Sequence, residues 1–320
     1  LSILTGDDSL RQRPMGRIIT PLRAMGADIS GRLGDKYAPL VIRGGSLKPI
    51  DYTLPVASAQ IKSCVLLAGL SVDGVTYVTE PEQTRDHTER MLRAMGADIS
   101  TEQHRIALTG GGELQPFELS VPSDFSSAAF FIGATLIVPN AEITLRAVGL
   151  NPTRTGMLGI LERMGAMVRI ENVRQVSGEP VADIACSTAD GLKAVTLGKQ
   201  DIALAVDEFP ILCVLASQAE GTTVISGARE LRVKESDRIA AMAAGLRNMG
   251  VAVEEFEDGM AITGKVRLRG AEVESFHDHR IAMALSIAGL VADGKTVIRN
   301  SSCVDISFPG FYRLLDGLVR

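Results

Sequence analysis

The sequence predicts an α/β fold built from repeated βαβαββ units, and two recurring phrases support this prediction. The first phrase, at residues 22–30, is a helix end, a glycine and an alternating strand, and it returns almost letter for letter at residues 92–100. Weaker copies stand at residues 161–168 and 246–253. A repeat distance of about 70 to 85 residues is too long for a solenoid unit but suits a module of several helices and strands.

The second phrase is a nearly all-apolar stretch between these copies, followed by a tight turn and a strand. It occurs at residues 67–78, 132–145, 216–225 and 287–298. A helix that is apolar on all sides is buried, whereas the helices of the first phrase are amphipathic. Each module therefore reads as strand, buried helix, strand, amphipathic helix, strand, strand.

The starts of the predicted helices carry the polar residues of most interest. Ser and Asp are common N-caps, and Pro suits a first turn. An arginine beside the start of each amphipathic helix is unexpected, because the positive end of the helix dipole favours acids there. If equivalent helix ends converge, they form an anion-binding site. The buried helices are predicted to begin at residues 58–60, 124–127, 207–210 and 277–280, and the amphipathic helices at 11–14, 85–87, 154 and 234–238.

Residues 231–238, with the sequence LRVKESDR, place ionisable side chains of both signs ahead of an apolar helical pattern. That pattern, ended by Gly250, predicts a helix whose first turn holds Lys234, Glu235 and Arg238. A bound anion with more than one negative group would explain two cations in this turn. On this segment alone, a solvated charged face with an internal ion pair is the favoured interpretation.

The composition restricts the classes of function. A chain of 320 residues with 46% hydrophobic and 22% charged residues is long enough for two globular domains. Aromatic residues make up 4% and Trp is absent, so stacking surfaces for nucleic acid are not expected. The net charge of −5 requires any anion site to be local. No apolar run reaches transmembrane length, and four widely spaced cysteines suit buried thiols in a reducing cytoplasm.

Several polar residues admit more than one interpretation. Asp207 is read equally well as an N-cap or as a functional carboxylate, and Glu208 is favoured as a cap. Residues 277–280 contain His-x-His, but one carboxylate leaves a metal site incomplete, so anion binding is favoured over metal. Gln60, in the first turn of a predicted buried helix, would need a polar partner.

The phrases at these helix starts resemble those of the 5-enolpyruvylshikimate-3-phosphate synthase family, the 3-phosphoshikimate 1-carboxyvinyltransferases. The matches span essentially the whole chain in the family's order, and KESDR at residues 234–238 is specific. The bacterial subclass with Ser-Ala-Gln and Thr-Arg-Asp-His-Thr-Glu is the closer likeness. The matching phrases are LTGD and RQRP at residues 4–14, SAQIKS at 58–63, TRDHTE at 84–89, DFSSAA at 124–129, DEFP at 207–210, RVKESDR at 232–238, DHR at 278–280 and SFP at 307–309.

The resemblance implies the two-domain enolpyruvyl transferase fold, an inverse α/β barrel in which each domain holds three repeats and the domains close on ligands at helix N-termini. It assigns residues 1–121 to an incomplete substrate-binding domain with about two of its three repeats, in line with domain-scale lengths. It assigns residues 122–320 to a second domain of three repeats. Because Leu1 is not an initiator Met and the chain opens in mid-pattern, we expect a preceding segment that also completes the last repeat.

The resemblance also implies transfer of the enolpyruvyl group of phosphoenolpyruvate to the 5-hydroxyl of shikimate 3-phosphate, with release of phosphate, in aromatic amino acid biosynthesis. It implies no metal or organic cofactor, and a cytoplasmic monomer whose partners are these two small molecules. Asp207 is implied as the proton acceptor and Glu235 as the proton donor, because the addition needs one proton removed and one delivered. At matching positions, shikimate 3-phosphate is bound by Ser58, Ala59, Gln60, Arg85, Asp207 and Lys234, and phosphoenolpyruvate by Arg13, Gln60, Arg238 and Arg280.

The chain departs from the family pattern in three places. The family's N-terminal lysine segment and its glycine-rich loop with phosphate-binding arginines are absent, so we expect this chain alone to be inactive. Ile306 replaces a lysine of many members, and Glu230 replaces an asparagine of some. Two alternatives stay open: UDP-N-acetylglucosamine enolpyruvyl transferase, which shares the fold, and a non-catalytic fragment that only binds shikimate 3-phosphate.

Overall fold

The computed structural model describes residues 1–318, which form two compact units. Unit 1 comprises Leu1–Ser120 and Val176–Glu179, and unit 2 comprises Val121–Gln175 and the chain from Pro180 onward. Each unit has its own apolar core. Within residues 1–318, no helix is both long enough and apolar enough to cross a membrane. The domain roles expected from the sequence stay predictions.

Unit 1 contains two sheets and five helical segments. Its elements in chain order are β1 (Ser2–Leu4), α1 (Asp8–Arg11), α2 (Gly16–Ala24), β2 (Asp28–Gly31), the short helical turn α3 (Arg32–Asp35), β3 (Tyr37–Arg43), β4 (Asp51–Thr53), α4 (Ala59–Gly69), β5 (Gly74–Thr79), α5 (His87–Ala94), β6 (Ile99–Glu102) and β7 (Arg105–Gly110). The first sheet is antiparallel with the order β1-β3-β2. The second has the order β4-β5-β7-β6, in which β4 and β5 are parallel and the other pairs antiparallel.

Unit 2 continues the same alternation of helices and strands. Its elements in chain order are α6 (Phe125–Ile137), β8 (Glu142–Gly149), α7 (Gly156–Arg163), β9 (Val168–Val176), β10 (Glu179–Ser187), β11 (Thr196–Leu197), α8 (Lys199–Ala205), α9 (Phe209–Gln218), β12 (Thr222–Ile225), a 3₁₀ helix (Arg229–Val233), α10 (Arg238–Asn248), β13 (Ala252–Phe256), β14 (Gly259–Thr263), β15 (Glu272–Glu274), α11 (His279–Leu290), β16 (Val297–Arg299), a second 3₁₀ helix (Ser301–Cys303), α12 (Val304–Ser307) and α13 (Phe311–Leu318).

One sheet of unit 2 repeats the plan of the second sheet of unit 1. Its order is β11-β12-β14-β13, with β11 and β12 parallel and the other pairs antiparallel. A second sheet has the order β8-β10-β9, and a parallel bridge from Ser123 to Val148 extends it beside β8. The third is the parallel pair β15-β16. The repeated strand orders agree with the repeated phrases of the sequence.

The corner after the amphipathic helices is the same in four places. Gly26, Gly96, Gly165 and Gly250 follow α2, α5, α7 and α10 with φ angles of 100°, 82°, 81° and 91°. Glycine is favoured here because a side chain strains a left-handed backbone. The residue after each glycine donates its N–H to the carbonyl five residues earlier, at 2.9 to 3.0 Å. The helix–glycine–strand phrase of the sequence is therefore one repeated Schellman turn.

The buried helices are most complete in unit 2. Eleven of the 13 residues of α6 and nine of the 10 residues of α9 are buried, and both helices pack against α11. In unit 1, only one face of α4 is buried, and Leu67 on the other face is 55% exposed. The expectation of burial on all sides is therefore wrong for α4. Gln60 is exposed at the start of this helix, so its amide does not require a partner in the protein.

Candidate active site

The start of α10 differs from the prediction. The helix begins at Arg238, and Asp237 is its N-cap, whose carboxylate accepts the backbone N–H three residues further on at 3.0 Å. Lys234 and Glu235 therefore lie in the bend between the 3₁₀ helix and α10, not in the first helical turn. The helix starts after Asp237 because the Asp237 carboxylate can accept a backbone N–H that has no partner within the helix.

Arg238 is the centre of a charged cluster in unit 2, and its side chain is 1% exposed. Its Nε donates to Asp278 Oδ2 at 2.8 Å, and its Nη2 donates to Glu235 Oε2 at 2.7 Å. Its Nη1 lies 3.6 Å from Asp207 Oδ1. Within residues 1–318, Nη1 is buried and makes no hydrogen bond. Burial lowers the pKa of Arg238, but the carboxylates, Asp278 first, raise that pKa above its usual value, so the guanidinium stays charged.

Asp278 connects the starts of α10 and α11. It is fully buried and is the N-cap of α11, where Oδ1 accepts the backbone N–H of Arg280 at 2.9 Å. Its Oδ2 accepts from Arg238 Nε at 2.8 Å and from Ser236 Oγ at 3.1 Å. The buried carboxylate of Asp278 therefore bonds the side chain of Arg238 and the backbone N–H of Arg280.

Asp207 and Arg280 complete the cluster. Arg280 Nη1 donates to the main-chain oxygen of Asp207 at 3.1 Å, and Arg280 Nη2 lies 3.6 Å from Asp207 Oδ2. The two side chains are 16% and 15% exposed. The N-cap of α9 is Glu208, so Asp207 stands two residues before the helix. The structure thus brings together four of the residues predicted from the sequence: Asp207, Glu235, Arg238 and Arg280.

A second polar chain in unit 2 runs from Glu208 to the start of α6. Glu208 Oε1 accepts from Ser126 Oγ at 2.5 Å, and Ser126 Oγ accepts from Arg154 Nη2 at 2.7 Å. Arg154 also pairs with Asp124 at 3.0 Å. Burial, more than any other cause, raises the pKa of Glu208 above its usual value. Glu208 occupies the cap position, as the sequence favoured, but its side chain makes no capping bond and turns to Ser126 instead.

A small cavity of about 50 Å³ opens beside Arg280 in unit 2. Its walls include first-turn residues of α6 and α11 together with Ser307 and Phe308. Burial, followed by the charge of Arg280, lowers the pKa of His279 in this wall below its usual value. The imidazole is therefore neutral at pH 7, and the positive charge of the cavity wall belongs to Arg280.

The other predicted residues lie mainly at helix starts of unit 1. Ser58 is the N-cap of α4 and accepts the N–H of Ile61 at 3.4 Å, with Ala59 and Gln60 directly after it. Arg85 stands two residues before α5, and Arg13 three residues before α2. Both arginines are partly buried and make contacts with the protein.

Lys234, the remaining predicted residue, belongs to unit 2, where its Nζ lies 3.7 Å from Glu230 Oε1. The structure does not place its ammonium among the contacts of Arg238. In the described part of the chain, no group of three or more His, Cys, Asp or Glu side chains is arranged to hold a metal ion.

Sequence reasoning missed the roles of Ser126, Arg154 and Asp278 in these networks. The arginine near the start of α7 and the Asp before α11 were visible as helix punctuation. Their partners are 28 and 40 residues away along the chain, so spacing could not reveal them. Polar residues recur at the helix starts, and this recurrence predicts that they lie close together. It does not predict which side chains bond to one another.

Comparisons with known proteins identify the family of the chain. The family profile of EPSP synthase (3-phosphoshikimate 1-carboxyvinyltransferase) matches residues 1–315. The 3-phosphoshikimate 1-carboxyvinyltransferase of Thermodesulfovibrio yellowstonii is 54% identical over 321 residues, which cover 100% of this chain and 75% of that protein. The corresponding protein of Synechococcus sp. is 52% identical over 99% of this chain and 72% of its own length.

Solved structures show the same fold. EPSP synthase from Acinetobacter baumannii superposes with a TM-score of 0.90 at 51% identity, covering 99% of this chain and 73% of that one. The enolpyruvyl transferase NikO from Streptomyces tendae superposes with a TM-score of 0.79 at 19% identity, over 99% of this chain and 72% of that one, which supports the fold alone. The predicted enolpyruvyl transferase fold with repeated βαβαββ units is therefore confirmed. The chain belongs to the EPSP synthase family.

Proposed function

We propose that the protein is a 3-phosphoshikimate 1-carboxyvinyltransferase of the shikimate pathway. The observation that supports this most directly is the convergence of Arg238 and Arg280 with Asp207 and Glu235 in unit 2. Paired guanidinium groups bind carboxylate and phosphate in a fixed geometry. Two carboxylates beside them supply the acid and the base that addition to an enol ether requires.

The proposed roles of the residues follow from charge and position. Arg238 and Arg280, together with Arg13 and Gln60, bind phosphoenolpyruvate. Arg238 is suited to this role because its buried Nη1 makes no hydrogen bond within residues 1–318 and can donate to an anionic ligand. Shikimate 3-phosphate is assigned to the helix start at Ser58, Ala59 and Gln60 and to Arg85, Lys234 and Asp207.

The proposed reaction has two stages. Asp207 accepts the proton of the 5-hydroxyl while Glu235 delivers a proton to the methylene carbon of phosphoenolpyruvate, so that a tetrahedral adduct forms. Loss of phosphate with removal of a methyl proton then gives the enolpyruvyl product. Arg238 contacts both carboxylates and therefore orients the acid relative to the base.

We also propose that the protein is a cytoplasmic monomer with these two small-molecule substrates as partners. Support for a reducing compartment comes from Cys64, Cys186, Cys213 and Cys303, which are all free thiols. Support for the monomer comes only from the family resemblance. A native mass measurement tests this assignment.

The test of the function is phosphate release by the protein expressed from its complete reading frame. Release that requires both shikimate 3-phosphate and phosphoenolpyruvate, with the enolpyruvyl ether detected by mass spectrometry, is the expected result. Release that requires UDP-N-acetylglucosamine instead would identify the alternative transferase. Binding of shikimate 3-phosphate without phosphate release would indicate a non-catalytic protein. The same assay on the 320-residue chain alone tests the expectation that this chain is inactive by itself.

A further inference from the structure

Unit 1 buries one ammonium and two carboxylates against one another, outside the residues assigned above. Lys62 Nζ lies 2.6 Å from Glu89 Oε1 and 3.2 Å from Glu80 Oε2. The Lys62 side chain is 0% exposed, and each carboxylate is 4% exposed. We call Lys62, Glu80 and Glu89 the buried triad.

The buried triad is a poor source of stability. Removing charges from water costs more than their attraction usually returns, and apolar replacements are often as stable or more stable. This triad has one cation for two carboxylates, and burial raises the pKa of Glu89 above its usual value. In the described chain, Glu89 Oε2 is buried and makes no hydrogen bond. The arrangement therefore calls for an explanation other than stability.

The contacts of the buried triad lead directly to the proposed shikimate 3-phosphate residues. Lys62 lies one turn after Ser58, and its backbone N–H donates to the Ser58 carbonyl at 3.1 Å. On the other side, Glu80 Oε2 accepts from Thr84 Oγ1 at 2.6 Å, and Thr84 is the residue before Arg85. A continuous path thus joins the start of α4 to the Arg85 peptide.

A second path reaches Arg85 from its other side. Glu89 is the third residue of α5, and it holds that helix against Lys62 on α4. The hydroxyls of Ser63 and Thr88 lie 2.7 Å apart beside this pair and form a hydrogen bond between the same two helices. The two ends of the segment that carries Arg85 are therefore both fixed to α4.

We propose that Lys62, Glu80 and Glu89 are positioning residues that hold the Ser58–Gln60 turn and Arg85 in the arrangement needed to bind one shikimate 3-phosphate molecule. This inference rests on the proposed function and adds to it the source of the geometry in unit 1. The three side chains act through Ser58, Gln60 and Arg85 and do not contact the substrate. A displacement of about 1 Å in such a site can cost up to about 100-fold in rate or binding.

Two variants test the proposal, one with a large and one with a small change to the contacts of the buried triad. Lys62→Met removes the ammonium at similar volume, and Thr84→Val removes only the hydroxyl that connects Glu80 to the Arg85 segment. Each variant is assayed for the KM of both substrates, for kcat and for its thermal unfolding midpoint. We expect the KM for shikimate 3-phosphate to rise at least about tenfold in Lys62→Met and about threefold in Thr84→Val. The KM for phosphoenolpyruvate should rise less in each variant, because that substrate shares only Gln60 with the positioned residues.

Matched controls exist in the same unit. Arg105→Met breaks the exposed pair of Arg105 with Asp51, whose atoms lie 2.8 Å apart and whose side chains are 48% and 55% exposed. Thr20→Val removes a hydroxyl that donates to a main-chain carbonyl at 2.9 Å in α2. Both controls should leave the KM for shikimate 3-phosphate within about twofold of the wild type, as surface changes usually do.

The outcomes separate this proposal from the function on which it rests. An unchanged KM for shikimate 3-phosphate in Thr84→Val, or equal increases for both substrates, would overturn the positioning role. A lower unfolding midpoint with no change in that KM would show that the triad is only structural. If Lys62→Met does not fold, the KM of Thr84→Val for shikimate 3-phosphate still tests the positioning role. If the wild type binds shikimate 3-phosphate without turnover, the proposed function fails alone, and affinity by calorimetry replaces KM in the comparison.

Discussion

Arg280 Nη1 donates a hydrogen bond to the main-chain oxygen of Asp207, and Arg280 Nη2 lies 3.6 Å from the carboxylate of the same residue. Arg280, which is proposed to bind phosphoenolpyruvate, is therefore in direct contact with Asp207, the proposed base. Because the Arg280 side chain keeps 15% of its surface exposed, it can be replaced with less damage to the core than Arg238.

Arg280→Ala should weaken phosphoenolpyruvate binding selectively. Loss of hydrogen bonds to a charged ligand costs about 1.5 to 3 kcal/mol, which corresponds to a rise of about 10- to 150-fold in the KM for phosphoenolpyruvate. The KM for shikimate 3-phosphate should change by less than about threefold. Arg163→Ala is the control, since its exposed pair with Asp201 lies elsewhere in unit 2. Equal losses for the two substrates would contradict the assignment of Arg280.

Arg238→Leu should destabilise the protein strongly. The change leaves the carboxylates of Asp278, Glu235 and Asp207 without their shared cation, and breaking such a buried pair costs about 3 to 5 kcal/mol of unfolding free energy. Urea denaturation measures this loss. Arg229→Leu, which breaks an exposed pair with Glu257, should cost less than about 1 kcal/mol. Similar losses in the two variants would show that the Arg238 cluster is more hydrated than its burial indicates.

Glu235→Gln should lower kcat and leave the binding of shikimate 3-phosphate nearly unchanged. The amide keeps the shape beside Arg238 but cannot deliver a proton, and general acid catalysis contributes about 10² to 10⁴ in rate. Rates of phosphate release at saturating substrates provide the measurement. Glu257→Gln, on an exposed carboxylate of the same unit, is the control. A kcat within threefold of the wild type would exclude Glu235 as the proton donor.

Glu208→Gln should change the pH dependence of stability. Burial raises the pKa of Glu208 in the folded protein, so the folded state holds its proton at pH values where the unfolded chain has released it. By linkage, the wild type loses stability as the pH rises from the ordinary glutamate value of about 4.3 towards the folded value. The variant lacks this loss, so its stability relative to the wild type should increase from pH 4 to pH 7. Urea titrations at both pH values measure this, and a constant difference would show that Glu208 titrates normally.

Two glycines near α7 should respond to alanine in opposite directions. Gly165 has φ of 81°, so Gly165→Ala should cost about 1 to 2 kcal/mol through backbone strain. Gly159 lies inside the helix, and an added Cβ there meets no atom within 4 Å. Gly159→Ala should therefore raise the unfolding free energy by about 0.5 to 1 kcal/mol. Thermal unfolding of the two variants compares them directly, and a stabilising Gly165→Ala would refute the Schellman assignment.

The helix starts were the part of the structure that the sequence predicted best. Ser58, Asp124 and Asp278 are N-caps as expected, because a cap bonds an N–H only two or three residues away. The start of α10 was placed four residues too early, since Lys234 and Asp237 both precede the apolar pattern and local spacing does not decide between them. The repeated glycine corners were equally visible because they too are local.

The pairings within the site could not be predicted in the same way. Arg238 and Asp278 are 40 residues apart, and Ser126 and Glu208 are 82 residues apart, so only the packing of helices brings them together. Lys62 gave one unused signal. It stands between Ile61 and Val65 on the apolar face of α4, and a cation on a buried face must have carboxylate partners. The identities of those partners still depended on the fold.

The three buried helices of unit 2 begin at one place, where Ser126 bonds Glu208 and Arg280 bonds Asp207. Their positive ends repel one another, and two arginines add to that repulsion. Asp207, Glu235 and Asp278 offset part of this repulsion, and any further carboxylate here would compete with an anionic ligand. At this corner, a substitution that raises stability is therefore expected to lower activity. Stabilising substitutions can be sought safely in the glycine and surface positions, whereas a stabilising change here is expected to weaken catalysis.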